Sequence, residues 1–404
     1  MIKKKVFVGL SGGVDSAVSA ALLKKQGYEV IGVFIKTWHP DFLSCNEEEE
    51  RRDAMRVAAH LDIPFLTFDF ENVYKKEVAD YMISEYKAGR TPNPDVMCNK
   101  YVKFGAFLEK AIAMGADYVA TGHYAQVRDA SFDFELPEGP APVIRGRAQG
   151  RKIERGEASL LSKGIDPSKD QSYFLWTLKQ EQLKRILFPI GHLKKTEVRK
   201  LAKKFRLPVA EKKDSQGICF LGNIDLKEFL KHYIKSKDGK VQNEQGEEIG
   251  YHDGAVFHTL GERHGFTITK KNPTDGPYYI VGKDIKTNIL IVSQNRVFSS
   301  PLTRGRLGGG ELKSTSPQSS PYQGEGEVIQ IASVNWISKS PEQNKNYTAQ
   351  IRYHGEFLSC KVKTEGPLHK QRVEIIFKKP ILVAGEQSCV IYDQDICLGG
   401  GVVV

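Results

Sequence analysis

Gly9-Leu10-Ser11-Gly12-Gly13-Val14-Asp15-Ser16 is the stretch on which the fold of this chain turns. It follows an apolar run at 6–8 and leads into Val14, Val18, Ala21 and Leu22, which fall at i, i+4, i+7 and i+8, with Gly27 as the stop. A strand, a glycine-rich turn and a helix are therefore expected in that order. Small residues let the backbone turn sharply and present successive N–H groups to an anion, and the helix adds the positive end of its dipole. The pattern predicts a cradle for the phosphates of ATP, with the Asp15 carboxylate and the Ser16 hydroxyl available to Mg²⁺. The plain alternative is a glycine-rich turn that holds no ligand.

The stretch carries neither a Walker-type Lys-Ser/Thr pair nor G-x-G-x-x-G. From Ser11 to Ser16 it resembles the pyrophosphate loop of the PP-loop ATPases. Those enzymes split ATP between the α and β phosphates and adenylate an oxygen of their substrate.

Outward from the loop, runs rich in β-branched and aromatic residues recur at 6–8, 30–34, 65–68 and 118–120, separated by helical patterns at 17–26, 47–61, 73–87 and 101–114. This alternation predicts a doubly wound parallel sheet with ligands at the carboxyl ends of its strands. Glu47 to Glu50 read as a solvated first turn of helix. A basic helical pattern at 194–205 precedes a domain change near 207, after which short strand candidates at 278–281, 289–292, 347–353, 373–377 and 388–392 suit a small β-barrel or sandwich. The expected layout is an α/β PP-loop catalytic domain at 1–207, a small central domain at 208–282 and a C-terminal β-barrel at 283–404. Two stretches, about 129–158 and 299–326, fit no element and read as flexible insertions. Arg145, Arg147, Arg151 and Arg155 in the first either touch RNA or decorate a surface loop.

At 404 residues the chain is long enough to bury sizeable cores without staples. Its formal charge of +10, from 59 Lys and Arg against 49 Asp and Glu, favours a polyanion without proving one. Cys45, Cys98, Cys219, Cys360, Cys389 and Cys397 form no C-x-x-C and no zinc spacing, so free thiols in a reducing compartment are expected. Lys3-Lys4-Lys5 opens like a signal peptide, but Gly12, Gly13 and Asp15 interrupt the apolar run that follows. No window reaches the length of a membrane span. A cytoplasmic monomer is the expectation.

Cys98 lies in Thr91-Pro92-Asn93-Pro94-Asp95-Val96-Met97-Cys98-Asn99, where two prolines suggest an extended loop, and Cys219 lies in a second loop after Lys212 and Lys213. A thiol on a turning segment near ammonium groups suits nucleophilic or redox chemistry. Together with Thr121-Gly122-His123-Tyr124-Ala125, Lys169-Asp170-Gln171-Ser172-Tyr173-Phe174-Leu175 and Asp214-Ser215-Gln216-Gly217-Ile218-Cys219-Phe220, these motifs resemble the tRNA-specific 2-thiouridylases, the MnmA/TrmU family. The resemblance covers nearly the whole chain apart from the two insertions.

The resemblance implies ATP binding by Gly9, Leu10, Ser11, Gly12, Gly13, Val14, Asp15 and Ser16, with Ile35 (where the family often has Met) and Gly122. It implies that Asn93, Pro94 and Asp95 surround the target uracil, with Asp95 a general acid or base. Lys169, Asp170, Gln171, Arg352, Tyr353, His123 and Gln387 would contact tRNA. Cys98 would be the nucleophile and Cys219 the persulfide carrier, charged by a sulfur-relay protein or cysteine desulfurase, and the two would finish as a Cys98–Cys219 disulfide. Read from the residues alone, His123 is equally a core histidine, Asp95 a turn cap, Arg352 and Tyr353 a surface pair, and Gln387 a strand residue. Glu386 adds a carboxylate beside the supposed RNA contact of Gln387. Two other functions fit parts of the pattern: a PP-loop ligase acting on a tRNA base, which needs neither thiol, and an RNA-binding protein without catalysis.

Overall fold

The apolar run at the start of the chain forms β1 (Lys5–Gly9), and its alternating side chains go to opposite cores. Phe7 packs with one hydrophobic cluster while Val6 and Val8 pack with another. A strand buried on both faces belongs in a sheet covered on both sides. Its neighbours β2 (Glu29–Lys36), β3 (Phe65–Asp69) and β4 (Tyr118–Ala120) are all parallel to their partners. The chain then leaves this sheet as an antiparallel hairpin, β5 (Ala125–Asp129) and β6 (Ser159–Lys163), before β7 (Ile186–Leu187) completes it. The computed structural model describes residues 3–42, 46–129, 158–214, 225–271, 275–295, 327–366 and 372–404. Both expected insertions therefore lie almost wholly outside the described residues.

Strand order in the first sheet is β3-β2-β1-β4-β7. Successive strands run one way from β1 through β2 to β3, and the chain then restarts on the other side at β4. The crevice between the carboxyl ends of β1 and β4 is thus the switch point where such sheets bind ligands. The expectation of a doubly wound parallel sheet is met there.

A second sheet has the order β10-β9-β8-β12-β11, made of β8 (Gly239–Gln242), β9 (Glu248–His252), β10 (Phe266–Ile268), β11 (Tyr279–Asp284) and β12 (Ile289–Ser293). Val241, Ile249, Ile280, Leu290 and Val292 form its core. The remaining strands, β13 (Val328–Trp336), β14 (Asn346–Gln350), β15 (Leu358–Glu365), β16 (Arg372–Phe377), β17 (Ser388–Asp393) and β18 (Ile396–Val403), pair in the order β13-β16-β15-β14-β17-β18. A further pairing of β13 with β18 closes them into a six-stranded barrel, which removes exposed edges. The β5–β6 hairpin adds to this barrel through Ile396↔Ser162 and Cys397↔Leu161, so the first region lends two strands to the last.

Two helical expectations need adjusting. The pattern at 73–87 belongs to a helical stretch over 71–87 with a π-helical middle, Lys75–Asp80. The pattern at 101–114 begins earlier, in the short helix Pro94–Met97, and continues through the π-helical Cys98–Ala106 into Phe107–Ala113. Among the described residues no helix is long and apolar enough to cross a membrane.

Candidate functional site

The glycine loop closes over the carboxyl end of β1. Gly12 has φ +70°, and a Cβ there would collide with the Glu50 carbonyl. The first helical bond runs from the Ala17 N–H to the Gly13 carbonyl at 3.3 Å, and Gly13 offers no side-chain cap. The N–H groups just ahead of Ala17 thus precede the hydrogen-bond ladder, while those of Leu10 and Ser11 are taken by the Val33 carbonyl and the Ser16 hydroxyl. Leu10 and Val14 anchor the loop in the core, and Ser11 sits exposed at its tip. Across the crevice Gly122, just beyond β4, lies against the same helix end: a Cβ would stand 2.8 Å from the Ser16 nitrogen and 2.9 Å from the Asp15 carbonyl carbon. Ile35, near the end of β2, has its Cδ1 3.8 Å from where a Gly9 Cβ would be. Bare backbone on both walls and a helix N-terminus at the base fit a polyphosphate.

Asp15 and Ser16 have partners within the protein. The Ser16 hydroxyl donates to the Gly13 carbonyl at 3.2 Å and accepts from the Ser11 N–H at 3.2 Å. The Lys195 ammonium donates to both Asp15 oxygens at 2.8 Å, and the Tyr124 hydroxyl donates to Asp15 Oδ1 at 2.8 Å. A Mg²⁺ arriving with nucleotide would compete with Lys195 for this carboxylate. Among the described residues no group of three His, Cys, Asp or Glu side chains is placed to hold a metal ion by itself.

Lys195 also pairs with Asp214 at 2.9 Å, and Asp214 receives Lys169 at 2.8 Å and Arg199 at 2.5 Å. Burial raises the Asp214 carboxyl, but the hydrogen bonds from Lys169 and Lys195 outweigh it and hold the group well below the usual carboxylate range. Neither Lys195 nor Arg199 was singled out from the sequence. Each belongs to a helix, Lys195–Lys204, whose lysines look like surface charge, and Lys195 meets its Asp15 partner across 180 positions.

The segment 169–174 ties this crevice to the rest of the molecule. Asp170 is not turned outward: its oxygens accept from the Gly164 N–H (2.9 Å), the Ser172 N–H (3.1 Å) and the Ser172 hydroxyl (2.9 Å). Gln171 exchanges hydrogen bonds with the Tyr124 backbone at 3.0 and 2.9 Å, so the loop carrying Gly122 is locked to it. Tyr173 lines a cavity of about 320 Å³ together with Asn93, Thr259, Glu262, Arg352 and Gln387, and with Thr91, Pro92, Tyr353 and Ser388. All three sheets' regions contribute to that cavity.

Asn93 caps the short helix Pro94–Met97 by accepting from the Val96 N–H at 3.2 Å, with Pro94 at its first turn. Asp95 follows, and burial pushes its carboxyl above the ordinary range against the pull of Lys103. Cys98 opens the π-helical turn next to it. The sequence reading put this thiol on an extended loop; the structure corrects that, for Cys98 is only 3% exposed and sits in the main hydrophobic cluster. Pro94 does not extend a loop but starts a helix, which draws the cysteine into the core. Its neighbour Asn99 donates to the Phe174 carbonyl at 3.4 Å, and the Phe174 ring lies 4.4 Å from that of the cavity residue Tyr353. Cys219 lies outside the described residues, five positions after Asp214.

Arg352 and Tyr353 are brought to the cavity, with an Arg352 guanidinium N–H donating to the Leu260 carbonyl at 2.5 Å. Gln387 is brought there too, its side-chain oxygen accepting from the Ala384 N–H at 3.2 Å. The extra carboxylate of Glu386 is answered by Arg90 at 3.7 Å. His123 is placed differently. It is buried between Phe104 and Phe188, its Nδ1 2.7 Å from the Thr121 hydroxyl, and burial followed by Lys103 holds its pKa well below the ordinary value. The core-histidine alternative describes these surroundings.

Three family descriptions match consecutive parts of the chain: "tRNA methyl transferase HUP domain" at 4–223, "tRNA methyl transferase PRC-barrel domain" at 227–294 and "Aminomethyltransferase beta-barrel domain" at 327–403. The tRNA-specific 2-thiouridylase MnmA of Geobacillus thermodenitrificans (strain NG80-2) is 42% identical over 403 residues, covering 99% of this chain and 94% of that protein. The protein of the same name from Streptococcus mutans is 41% identical, covering 99% and 95%, and that of Shewanella amazonensis 39%, covering 99% and 94%. With a parallel-sheet crevice, a cavity walled from three regions of the chain and full-length similarity in agreement, the chain belongs to the MnmA family of tRNA-specific 2-thiouridylases.

Proposed function

We propose that this protein replaces the C2 oxygen of a tRNA wobble uridine by sulfur at the expense of ATP. The observation that carries the reading is the single segment at 169–174, which hydrogen-bonds to the nucleotide loop's neighbour Tyr124 at one end and lines the Asn93 cavity at the other. A nucleotide in the crevice and a base in the cavity would thereby be held by one rigid link.

The uracil O2 attacks the α-phosphorus of ATP, and pyrophosphate leaves under the loop Gly9 to Ser16, with Ile35 and Gly122 flanking the nucleotide. Adenylation turns a poor leaving oxygen into AMP. Mg²⁺ held at Asp15 and Ser16 would spread the phosphate charge. Asp95, whose carboxyl is shifted upward by burial, serves as general acid or base beside the base. Cys219 carries a persulfide from an outside sulfur donor, a relay begun by a cysteine desulfurase. Its terminal sulfur, transferred directly or released as sulfide, bonds to C2 and AMP departs. The Cys98 thiolate takes the inner Cys219 sulfur, leaving a Cys98–Cys219 disulfide that an external thiol must reduce. Arg352, Tyr353 and Gln387 hold the RNA, Asn93 and Pro94 shape the pocket, and Asp170, Gln171 and His123 support it from behind, while Lys169 stands with Asp214 at the crevice. Entry of the base requires it to flip from its stack. Such chemistry suits a reducing cytoplasm, and of the expected division at 1–207, 208–282 and 283–404 the second boundary moves beyond β12, which pairs with β8 and β11 in the second sheet.

Full-length protein incubated with tRNA, ATP and a persulfide-level sulfur donor (cysteine with a cysteine desulfurase) should yield 2-thiouridine by nucleoside mass spectrometry, with AMP and pyrophosphate in equal amounts. Thiolation should vanish in Cys98→Ser and Cys219→Ser. AMP formation with no thionucleoside would point to the ligase alternative, and no AMP at all to a mere binder.

A further inference from the structure

The Asp214 carboxylate is surrounded by more positive charge than one carboxylate requires. Lys169 reaches one oxygen at 2.8 Å, while Lys195 at 2.9 Å and Arg199 at 2.5 Å share the other. Lys195 and Arg199 stand at i and i+4 on one helix face, and Lys195, only 13% exposed in its side chain, simultaneously grips Asp15 in the glycine loop. Three cations meet Asp15 and Asp214, and Asp166, which accepts from the Lys195 N–H, balances the third charge, so the cluster gains net positive charge only when a carboxylate leaves it. A planar two-oxygen anion answered from three sides, one donor being a guanidinium, is the coordination that suits a phosphate better than a carboxylate.

We infer that Lys169, Lys195 and Arg199 form the seat of the distal phosphates of ATP, afterwards of the departing pyrophosphate, and that Asp214 occupies this seat as an internal anion when nucleotide is absent. The inference rests on the reading of the Gly9–Ser16 loop as an ATP site. Binding of nucleotide exchanges the Asp214 carboxylate for phosphate oxygens. Lys195 stays at the crevice throughout, because its backbone N–H is fixed by Asp166 at 2.9 Å, and a Mg²⁺ that takes Asp15 frees its ammonium for phosphate. Asp214 then competes with ATP for the same donors, so its charge lowers nucleotide affinity. A plain ion-pair staple behaves in the opposite way: removing it loosens the fold and improves nothing.

Calorimetric titration of the full-length protein with Mg²⁺–ATP, and separately with inorganic pyrophosphate, tests this without any turnover. Lys195→Ala should weaken both ligands by about tenfold or more, the worth of a charge-assisted hydrogen bond to phosphate, and Lys195→Arg should recover part of the loss. Asp214→Asn should tighten both by several-fold. Thermal midpoints by circular dichroism run alongside, so that a folding defect is seen as such. If Asp214→Asn lowers the midpoint and leaves affinity unchanged or weaker, Asp214 is a staple and the inference is overturned. It is equally overturned if Lys195→Ala binds ATP like the wild type. Gly122→Val separates the two readings: its failure to disturb ATP binding removes the nucleotide crevice itself, whereas loss of ATP binding there with indifferent Lys195 and Asp214 variants removes only the phosphate seat.

Discussion

The crevice at the end of β1 and the cavity at the meeting of the three sheets are assembled in opposite ways. The crevice is local: eight successive residues make its floor, and Gly122 comes from the adjacent strand end. The cavity is dispersed, with walls from 91–93, 173, 259, 262, 352–353 and 387–388. Local sites are set by backbone conformation, so a single added carbon damages them. Dispersed sites are set by domain docking, so they respond to whatever loosens an interface.

The largest effect should come where chemistry rather than shape is removed. Cys98→Ser nearly conserves volume in a packed position, so the fold and the affinities for ATP and tRNA should stay close to wild type. Thiolation should nevertheless fall by about a thousandfold or more, as expected for loss of a covalent participant. Single-turnover assays read by nucleoside mass spectrometry check this. Residual thiolation near the wild-type rate would leave the buried thiol a core residue and nothing else.

Gly122→Val comes next and attacks the crevice alone. Its Cβ would meet the Ser16 nitrogen at 2.8 Å and backbone of Asp15 at 2.9 Å, neither of which can move without unwinding the first turn of the helix. ATP affinity should drop by about a hundredfold, because a displacement near 1 Å is costly in a site built on geometry. Binding of tRNA, measured by filter retention, should change less than twofold. Equal losses of both would mean that crevice and cavity do not behave as separate sites.

Acid should reverse that ranking. His252, 2% exposed, is held neutral with a pKa of about 4, chiefly by burial and then by the neighbouring His258, with Asp253 pulling the other way and Lys227 assisting the depression. Released by unfolding, it would take up a proton near 6.5, so its folded form is at full advantage above that pH and loses stability as pH falls through 4. The expected loss between pH 7 and 4 is roughly 2–3 kcal/mol, borne by the second sheet, which supplies Thr259 and Glu262 to the cavity. Urea midpoints at pH 7, 5.5 and 4.5 measure it. Affinity for tRNA should decay before affinity for ATP, and the reverse order would contradict the division drawn here.

How far each region could be read in advance follows from the same contrast. The glycine loop was legible because strand, turn and helix succeed one another and the turn demands small residues; the barrel was legible in part, from the candidates at 347–353, 373–377 and 388–392, while those at 278–281 and 289–292 belong to the second sheet. Lys195 was hidden since nothing near it in sequence announces Asp15 or Asp214 as a partner. The β5–β6 hairpin escaped notice because its pairing to β18 lies far along the chain and a polar stretch separates its two strands. The Cys98 loop was misjudged through Pro94: proline at a helix's first position looks like an extended segment unless the preceding Asn93 is recognised as its cap, a signal present in the sequence. Thr91, Thr259 and Glu262 carried no local mark at all.

The smallest expected effect probes the docking that makes the cavity possible. Trp176 donates its indole N–H to the Ser388 hydroxyl at 3.1 Å, and both side chains are buried where the first domain meets β17; Tyr173 donates to the Ser388 carbonyl at 3.0 Å beside them. Ser388→Ala strands a buried donor and should cost about 1–2 kcal/mol in a denaturant titration, more than the ~1 kcal/mol net worth of one hydrogen bond, because the indole N–H cannot return to water. Trp176→Phe removes donor and bulk together and so costs packing as well. If the hydrogen bond is what couples the two changes, the double variant will cost less than the sum of the singles. Ser388 also lines the cavity, so the same series read as tRNA affinity tells whether loosening this one joint reaches the dispersed site while ATP binding in the local one stays unmoved.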